Sequence, residues 1–415
     1  MHLNPLVVAT GAPPIPAVQG WMREYDGGKG PLIDLCQAVP GYPPPPALLD
    51  RLAREAATPA NARYGAILGE TALRDAYAAH LAALYDAPAR GGNVAITAGC
   101  NQAFFAAVSA VAGPGDAVVL PQPWYFNHEM TLRQLGIEAR PLPCGEAEGF
   151  CPDPEALARV LAEPAGRPVR AVALVTPNNP TGAICPAGTL AAISALCRAH
   201  GAWLILDETY RDFLPDEQRR LHDLLDAPEW PAHVIQLYSF SKAYAVPGQR
   251  VGALAGPESL LPQLAKVLDC LHVCAQRPAQ LALAWALDST ADWRQANRRE
   301  MNRRGDALRI GLAGLPHWPV ASQGAYFAYL RHPFPEATGW EVVRHLALRH
   351  GVGCLPGSAF GGSDGFLRIA YANVDLDGVH ALARRLGDVA TGLKQARLGS
   401  AQTRQGGGPP WTGFT

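Results

Sequence analysis

The chain has 415 residues, of which 48% are hydrophobic and 17% are charged, and its formal net charge is −1. This length accommodates one large domain and a smaller one. The near-zero charge excludes an overall field that would attract nucleic acid or an anionic membrane surface, so we expect neither as a partner. These totals are typical of a protein that handles small molecules.

The nine cysteines are odd in number and scattered, and no CxxC pair occurs. This is not the pattern of a zinc site or of a disulfide framework, so we expect reduced thiols and no metal. The N-terminus shows no signal peptide, and no apolar stretch reaches the roughly 18 residues that a membrane helix needs. We therefore expect a cytoplasmic protein.

The first 47 residues are rich in proline and glycine and end in four consecutive prolines, at positions 43–46. Proline lacks an N–H group and fixes φ, which disfavours both regular helix and central strand. We predict an extended arm over residues 1–47 that packs with the small domain.

The next part of the chain, residues 48–289, alternates short apolar runs with helical patterns. Helices are predicted at 100–112 and 189–200, and strands at 93–97, 117–120, 169–176, 202–207, 234–239 and 251–255. This alternation is typical of βαβ units and predicts an α/β domain with a mostly parallel sheet flanked by helices.

The pattern changes near residue 290. Helices are predicted at 293–312, 340–350 and 376–393, and strands at 325–330 and 366–372, which indicates a smaller α+β domain over residues 290–395. The remaining segment, 396–415, is polar and rich in glycine, and we predict a disordered tail there.

Three polar features follow or interrupt predicted strands. The loop TPNNPTG (176–182) follows one strand, Asp207 ends the next, and Arg368 lies inside a third. Ligands of α/β sheets bind at the carboxyl ends of the strands. Alone, each feature has a structural alternative: a tight turn, a helix cap or a salt bridge.

Lys242 also follows a predicted strand, between Ser241 and an alanine, and Arg250 lies eight residues later. An amine that can attack an aldehyde and a guanidinium that can bind phosphate would suit an anionic ligand with a carbonyl group. Gly99 lies between a predicted strand and the start of a predicted helix, and free N–H groups at a helix N-terminus bind phosphate well.

Together and in this order, these motifs resemble the fold type I enzymes that use pyridoxal 5′-phosphate (PLP), in the class I and II branch of the aspartate aminotransferase superfamily. The resemblance covers about residues 30–395. It also includes Tyr64-Gly65 with Gly69, Leu73-Arg74 and the stretch 355–361. It implies a large PLP-binding domain, a smaller α+β domain, PLP as cofactor and a homodimer with shared active sites.

By this resemblance, Lys242 is the catalytic lysine that binds PLP as a Schiff base and carries a proton during the reaction. Asp207 would pair with the pyridinium nitrogen and keep the ring an electron sink. Tyr210 and Asn179 would bind the phenolic oxygen. The phosphate would meet the remaining cofactor residues, which are Gly99, Cys100, Asn101, Ser239, Ser241, Arg250 and, from the partner subunit, Tyr64.

The resemblance also places an aromatic residue on the cofactor ring, for which we favour Tyr125 over Trp124. Arg368 would bind the substrate α-carboxylate, because its planar fork suits a bidentate contact. Asn179 and Ala38 would line the substrate site, and Ala38 departs from the family pattern, which has glycine there. For three further residues we favour structural roles, namely His128, His272 and Arg277.

The implied activity is transfer of an amino group from an L-amino acid to a 2-oxo acid. We favour an aromatic or other non-acidic donor, because no second arginine is evident for a side-chain carboxylate. One alternative is a PLP-dependent β-eliminating lyase or an enzyme of specialised metabolism, since the same residues generate the same carbanion. A second is a non-catalytic sensing module of a transcription regulator, although no basic DNA-binding region precedes the fold.

Overall fold

The structure, a computed structural model, describes residues 1–163, 166–227 and 229–399. Its helices are α1 (Pro5–Val8), α2 (Pro14–Arg23), α3 (Pro46–Ala56), α4 (Thr71–Tyr85), α5 (Cys100–Val111), α6 (Phe126–Gln134), α7 (Pro154–Ala162), α8 (Ala187–Ala199), α9 (Phe240–Ala243), α10 (Leu261–His272), α11 (Arg277–Ser289), α12 (Ala291–Ala313), α13 (Gly339–His350) and α14 (Leu376–Gly399). Its strands are β1 (Ile33–Asp34), β2 (Val94–Thr97), β3 (Ala117–Gln122), β4 (Glu138–Pro143), β5 (Val169–Val175), β6 (Trp203–Asp207), β7 (Val234–Ser239), β8 (Gly252–Ala255), β9 (Val320–Gly324), β10 (Phe327–Arg331), β11 (Val352–Gly353), β12 (Leu355–Pro356) and β13 (Phe366–Ile369).

A seven-stranded sheet forms the centre of the larger part of the molecule, in the order β2-β8-β7-β6-β5-β3-β4. Strand β8 is antiparallel to both neighbours, and the pairs from β7 to β4 are parallel. Helices cover the sheet, and β6 and β7 are apolar and buried nearly throughout, as expected of strands covered on both faces. The predicted α/β fold with a mostly parallel sheet is confirmed.

The parallel strands bring the polar motifs to one edge of the sheet. Strands β5, β6 and β7 are consecutive neighbours, so the loop after β5, Asp207 at the end of β6 and Lys242 just after β7 share the carboxyl edge. This is the position where open α/β sheets bind their ligands. The sheet order therefore explains why residues far apart in sequence meet in one crevice.

A second, four-stranded antiparallel sheet follows the order β12-β13-β10-β9 and packs with α12, α13 and α14. Its strand β13 carries Arg368 towards the crevice. The N-terminal segment joins this part of the molecule, since β1 pairs in parallel with β11 and α2 buries Val18 and Met22 in the same core.

The prediction that residues 1–47 contain no regular helix was wrong. Helix α2 runs for ten residues and begins with Pro14 at its first turn. Proline is tolerated there because the first N–H groups of a helix have no intrahelical acceptor. Proline content therefore mispredicted a helix whose prolines occupy only its beginning.

The last helix, α14, continues to Gly399, beyond the predicted helix end at residue 393, so residues 396–399 are helical and the prediction of disorder was wrong for them. From residue 400 onward, the predicted disordered tail lies outside the residues that the structure describes. Over the described ranges, no helix combines the length and apolarity required to cross a membrane.

Candidate active site

Lys242 lies in α9, the single helical turn that follows β7, and its side chain faces the crevice. Its Nζ donates a hydrogen bond to the backbone carbonyl of Ala38, in the segment after β1. Burial, and after it the positive charges of Arg368 and Arg250, together lower the pKa of Lys242 from 10.5 to about 8. A substantial fraction of this amine is therefore neutral near neutral pH, as a nucleophilic lysine requires.

This pKa leads to a pH prediction for the protein without cofactor. The neutral amine is the nucleophile, so the rate at which the protein captures PLP should rise with pH and level off above about pH 8. Stopped-flow absorbance from about pH 6 to about pH 10 measures this profile. Arg368→Gln is the matched control and should move the midpoint upward, because it removes a neighbouring positive charge. A wild-type rate that keeps rising to pH 10 would contradict the lowered pKa.

Asp207 is a buried carboxylate held in a fixed orientation. Its Oδ1 accepts hydrogen bonds from the backbone N–H of Thr209 at 3.0 Å and from the Thr209 hydroxyl at 2.6 Å. Its Oδ2 lies 3.4 Å from Nε2 of His128, whose ring stacks on Phe104 with centroids 3.8 Å apart. The carboxylate therefore has one oxygen fixed by the main chain and the other beside an imidazole.

The contact between His128 and Asp207 is one that the sequence reasoning missed, since it favoured a structural role for this histidine. His128 lies in the first turn of α6, and Tyr125 is the N-cap of that helix. The three-residue spacing therefore places both rings at the same end of α6, where they meet edge to face at 5.2 Å. That spacing was the one sequence signal that could have linked His128 to the site.

A phosphate-sized anion would find its donors at the N-terminus of α5. Gly99 caps this helix with φ of 86°, and a Cβ there would overlap the guanidinium of Arg250. Arg250 itself donates to the carbonyls of Pro247 and Ala98, at 3.0 and 3.4 Å. The first N–H groups of α5 have no intrahelical acceptors, so the arginine and these amides form a cradle for an anion.

Ser239 and Ser241, which were predicted for the phosphate, lie on the same edge of the sheet. Ser239 ends β7, and its hydroxyl accepts a hydrogen bond from the backbone N–H of Ser241 at 3.3 Å. Both are buried. Cys100 and Asn101 begin α5, and Asn101 Oδ1 accepts from the Tyr125 hydroxyl at 3.3 Å. The structure thus brings all the predicted phosphate residues of one chain to one side of the crevice.

Arg368 is almost fully buried and has no carboxylate partner within ion-pair distance among the residues that the structure describes. Its guanidinium donates to Asn179 Oδ1 at 3.1 Å and to the carbonyl of Cys36, and Nε has no acceptor in the described part of the chain. The rings of Phe327 and Phe360 lie 5.2 and 4.9 Å from it. A buried cation without an anion is costly, so this one indicates an anionic ligand rather than the structural salt bridge that we had considered.

Asn179 and Tyr210 line the crevice between Lys242 and Arg368. Tyr210 is buried, with its ring centroid 5.4 Å from Tyr326 and 5.0 Å from Phe327. Burial, above all, raises the pKa of its hydroxyl. Ala38 belongs to the same small cluster of buried side chains, so its methyl group borders an aromatic wall.

Tyr125 and Trp124 take different positions, although they are neighbours in sequence. The Tyr125 hydroxyl accepts from Asn127 Nδ2 at 2.9 Å, and its ring stands beside His128 and hence near Asp207. A Cβ on Gly361 would contact the Trp124 indole, which places this ring against the loop before β13. Tyr125 is therefore the better placed of the two for a ring bound over Asp207.

Three predicted residues lie away from the crevice within one chain. Tyr64 is 82% exposed, in the loop before α4. Arg277 pairs with Glu70 at 2.7 Å and donates to Ala60, while His272 Nδ1 contacts the carbonyl of Leu268 at 3.0 Å. These local partners agree with the structural roles favoured for Arg277 and His272.

The crevice fits PLP on observations of its own residues. A lysine of lowered pKa suits the aldehyde, a fixed carboxylate beside His128 suits a protonated ring nitrogen, and the Gly99–Arg250 cradle suits the phosphate. The guanidinium of Arg368, which has no carboxylate partner among the described residues, remains for the carboxylate of a substrate. Over the described residues, no group of three or more His, Cys, Asp or Glu could hold a metal. Fold and crevice together define an enzyme of the PLP-dependent fold type I class.

The chain belongs to the aminotransferase class I and II family, whose model matches residues 30–386. It is similar to an aromatic aminotransferase, ISS1, of Arabidopsis thaliana, with 31% identity over 358 residues, which are 85% of this chain and 88% of the relative. It is also similar to the arginine–pyruvate transaminase AruH of Pseudomonas aeruginosa, with 30% identity over 77% of this chain and 80% of the relative.

Among solved structures, the aspartate aminotransferase of Thermus thermophilus with maleate superposes with a TM-score of 0.85. The match has 25% identity and covers 94% of this chain and all of that one. These relatives are transaminases, which favours the predicted PLP-dependent aminotransferase over the β-eliminating lyase and the sensing module. The chain is therefore a PLP-dependent transaminase, acting on amino acids and 2-oxo acids.

Proposed function

We propose that each residue of the crevice has a separate task in the transaminase reaction. The proposal rests on two neighbours in the crevice: Arg368, which is buried without a carboxylate partner among the described residues, and Lys242, whose pKa is lowered. Arg368 binds the substrate α-carboxylate and so orients the Cα–H bond towards Lys242. When bound, PLP supplies an electron sink for the pair left at Cα. Lys242 attaches the cofactor before substrate arrives and then moves the proton taken from Cα.

The other residues hold the cofactor in one orientation. Asp207 pairs with the ring nitrogen, and His128 lies beside the second oxygen of that carboxylate, 3.4 Å from it. Asn179 and Tyr210 bind the phenolic oxygen, and Tyr125 covers the ring. The phosphate is held by residues of α5, β7 and α9 with their following loop, which are Gly99, Cys100, Asn101, Ser239, Ser241 and Arg250.

The amino donor proposed for this chain is aromatic or otherwise non-acidic. Arg277 lies away from the crevice of its own chain and is paired with Glu70 there, so it offers no free guanidinium to a side-chain carboxylate. Ala38, whose carbonyl accepts from Lys242, packs instead in a buried cluster with the aromatic side chains of Tyr210, Phe213 and Tyr326. The aromatic aminotransferase among the relatives supports this choice, whereas the Thermus relatives are named for aspartate and prephenate.

A donor panel tests the substrate class. With 2-oxoglutarate or pyruvate as acceptor, kcat/KM for phenylalanine or tyrosine should exceed that for aspartate by about tenfold or more, since aspartate would leave a carboxylate unpaired against aromatic rings. The matched variant Ala38→Gly should change the ranking among bulky donors while the cofactor stays bound. A clear preference for aspartate would overturn the proposal.

We further propose that the enzyme is a cytoplasmic homodimer in which Tyr64 reaches the phosphate in the partner subunit's site. The 82% exposure of Tyr64 and its distance from its own crevice support this assignment. In an isologous dimer both subunits use the same surface patch, so each chain would complete the other's site.

Hybrid dimers test the shared site. A Lys242→Ala chain and a Tyr64→Ala chain should both have weak activity alone. The two chains are mixed, unfolded and refolded together to form hybrid dimers. In each hybrid dimer, one of the two sites should be intact and active. If sedimentation shows that the mixture is dimeric and its activity does not recover, Tyr64 does not contribute to the partner's site.

A further inference from the structure

A buried polar network lies behind the segment that carries Asp207 and Tyr210. Glu208 and Arg211 belong to the same segment and form an ion pair of 3.0 Å, with side chains 0% and 2% exposed. They contact α4 and β7 rather than the crevice. No step of the proposed reaction uses them, so the burial of two charges at this place calls for another explanation.

The Glu208 carboxylate is saturated with donors. His222 Nε2 lies 2.6 Å from Oε1. Oε2 accepts from the Tyr85 hydroxyl at 2.9 Å, from Arg211 at 3.0 Å and from Gln236 Nε2 at 3.1 Å. Burial would raise the pKa of Glu208, but its interactions with His222 and Arg211 outweigh burial, and the pKa lies below its ordinary value. The carboxylate is thus a fixed anion with four donors from separate elements.

His222 is oriented by a contact on its other nitrogen. Nδ1 is 3.2 Å from the backbone N–H of Leu224, which makes Nδ1 the acceptor and leaves the proton on Nε2 to face Glu208. The imidazole also stacks on the Tyr85 ring, with centroids 4.7 Å apart and planes within 8°. His222 and Tyr85, which both contact Glu208, are therefore also in contact with each other.

Arg211 is held mainly by aromatic rings. Its guanidinium lies 4.2 Å from the ring centroid of Tyr238 and 5.4 Å from that of Tyr77. In the described part of the chain, its Nε and Nη2 have no hydrogen-bond acceptor, so the ring faces take the place of further acceptors. Removal of the Glu208 charge would leave this cation buried without an anion.

The network is joined to the crevice through the main chain. The N–H of Glu208 donates to the carbonyl of Leu237 on β7 at 2.9 Å, and the N–H of Arg211 donates to the Glu208 carbonyl at 3.1 Å. Side chains 207 and 210 face the crevice, while 208 and 211 face α4. Movement of the ion pair would therefore displace both crevice residues together.

We propose that Glu208, Arg211 and His222 are positioning residues, which fix Asp207 for the ring nitrogen and Tyr210 for the phenolic oxygen of the bound cofactor. The inference rests on the proposed function, which assigns those two residues to PLP. A buried ion pair adds little net stability over apolar side chains of the same size, so stability alone does not account for it. A need for fixed geometry at the cofactor ring accounts for the buried ion pair, because small displacements of the contacting groups lower the reaction rate strongly.

The variant Glu208→Gln tests this inference, because it keeps the side-chain size and removes the charge. With phenylalanine as donor, kcat should fall about 100-fold while KM changes little, since Arg368 is untouched. The affinity for PLP, measured by fluorescence quenching of the protein without cofactor, should fall as well. At a fixed pH, the absorbance spectrum of the bound cofactor should change. The reason is that Asp207 and Tyr210 are assigned to its ring nitrogen and its phenolic oxygen, whose protonation sets the spectrum.

Leu81→Ala is the matched control for lost stability. Leu81 is fully buried on α4, between Tyr77 and Tyr85 on the same face, and carries none of the polar contacts. It should lower the melting temperature but leave the visible spectrum, the PLP affinity and kcat close to wild type. If Glu208→Gln does not fold, Tyr85→Phe removes one of the four donors and should shift the same quantities less, in the same direction.

The outcomes separate the two proposals. A folded Glu208→Gln or Tyr85→Phe protein with wild-type spectrum, PLP affinity and kcat would overturn the positioning role. The same spectral change in Leu81→Ala would also overturn it, since general destabilisation would then suffice. Failure of the underlying assignment would appear without any change to the network, as PLP that binds equally well to the wild-type protein and to a Lys242→Ala and Asp207→Ala double variant.

Discussion

Replacing Lys242 with alanine should reduce transamination by about 10⁴-fold or more, since it removes both the covalent anchor of the cofactor and the group that moves the Cα proton. The structure gives three reasons to assign both tasks to this side chain. It faces the crevice at the carboxyl edge of the sheet, its pKa is lowered to about 8, and two arginines share the crevice with it.

The measurement is single-turnover absorbance with an aromatic donor, compared with wild type. Lys266, which lies on α10 and contacts Gln263 at 2.8 Å, supplies the control. Lys266→Ala should behave as wild type. Partial rescue of Lys242→Ala by added small amines would indicate that the missing group is a base. Turnover within tenfold of wild type without any amine would refute the assignment.

Replacing Arg368 with alanine should raise KM for the amino donor strongly while PLP stays bound. Truncation of one partner of a buried, hydrogen-bonded charge pair costs about 2–5 kcal/mol, which corresponds to roughly 30- to several-thousand-fold in kcat/KM. The large effect is expected because Arg368 is held for this task by Asn179 and by the rings of Phe327 and Phe360.

Lysine at this position should not restore affinity, because it lacks the planar fork that binds a carboxylate through two donors. Arg368→Lys is therefore the informative companion of Arg368→Ala. Steady-state kinetics give KM for the donor, and the visible spectrum reports cofactor content. If Arg368→Ala instead loses PLP, and KM for the donor is unchanged in the molecules that retain PLP, then Arg368 binds the cofactor rather than the substrate.

The sequence predicted which residues would share one edge of the sheet because those residues follow strands. Asp207 and Lys242 each end an apolar run, and parallel strands bring such ends to one edge. Local sequence could not predict what is set by packing between distant segments. His128 contacts Asp207 only because α6 and β6 converge, and Glu208 follows Asp207 in sequence without any pattern that would indicate its contacts with Tyr85 and His222.

Proline was the main source of error in the fold. It predicted no helix in the N-terminal segment, where α2 begins with Pro14. It also concealed β4, which contains Pro141 and Pro143 and was not predicted as a strand. Strand β4 lies at one end of the sheet order, where a missing N–H donor need not interrupt the ladder. In both places the position of proline within the element, rather than its presence, decides the structure.

The most direct test of the account is the visible spectrum of the purified protein, before and after borohydride reduction, followed by a peptide map of the reduced product. We expect a visible band that borohydride removes, with the cofactor recovered on the single peptide that contains Lys242. No band after PLP is added, or attachment to any other lysine, would contradict it.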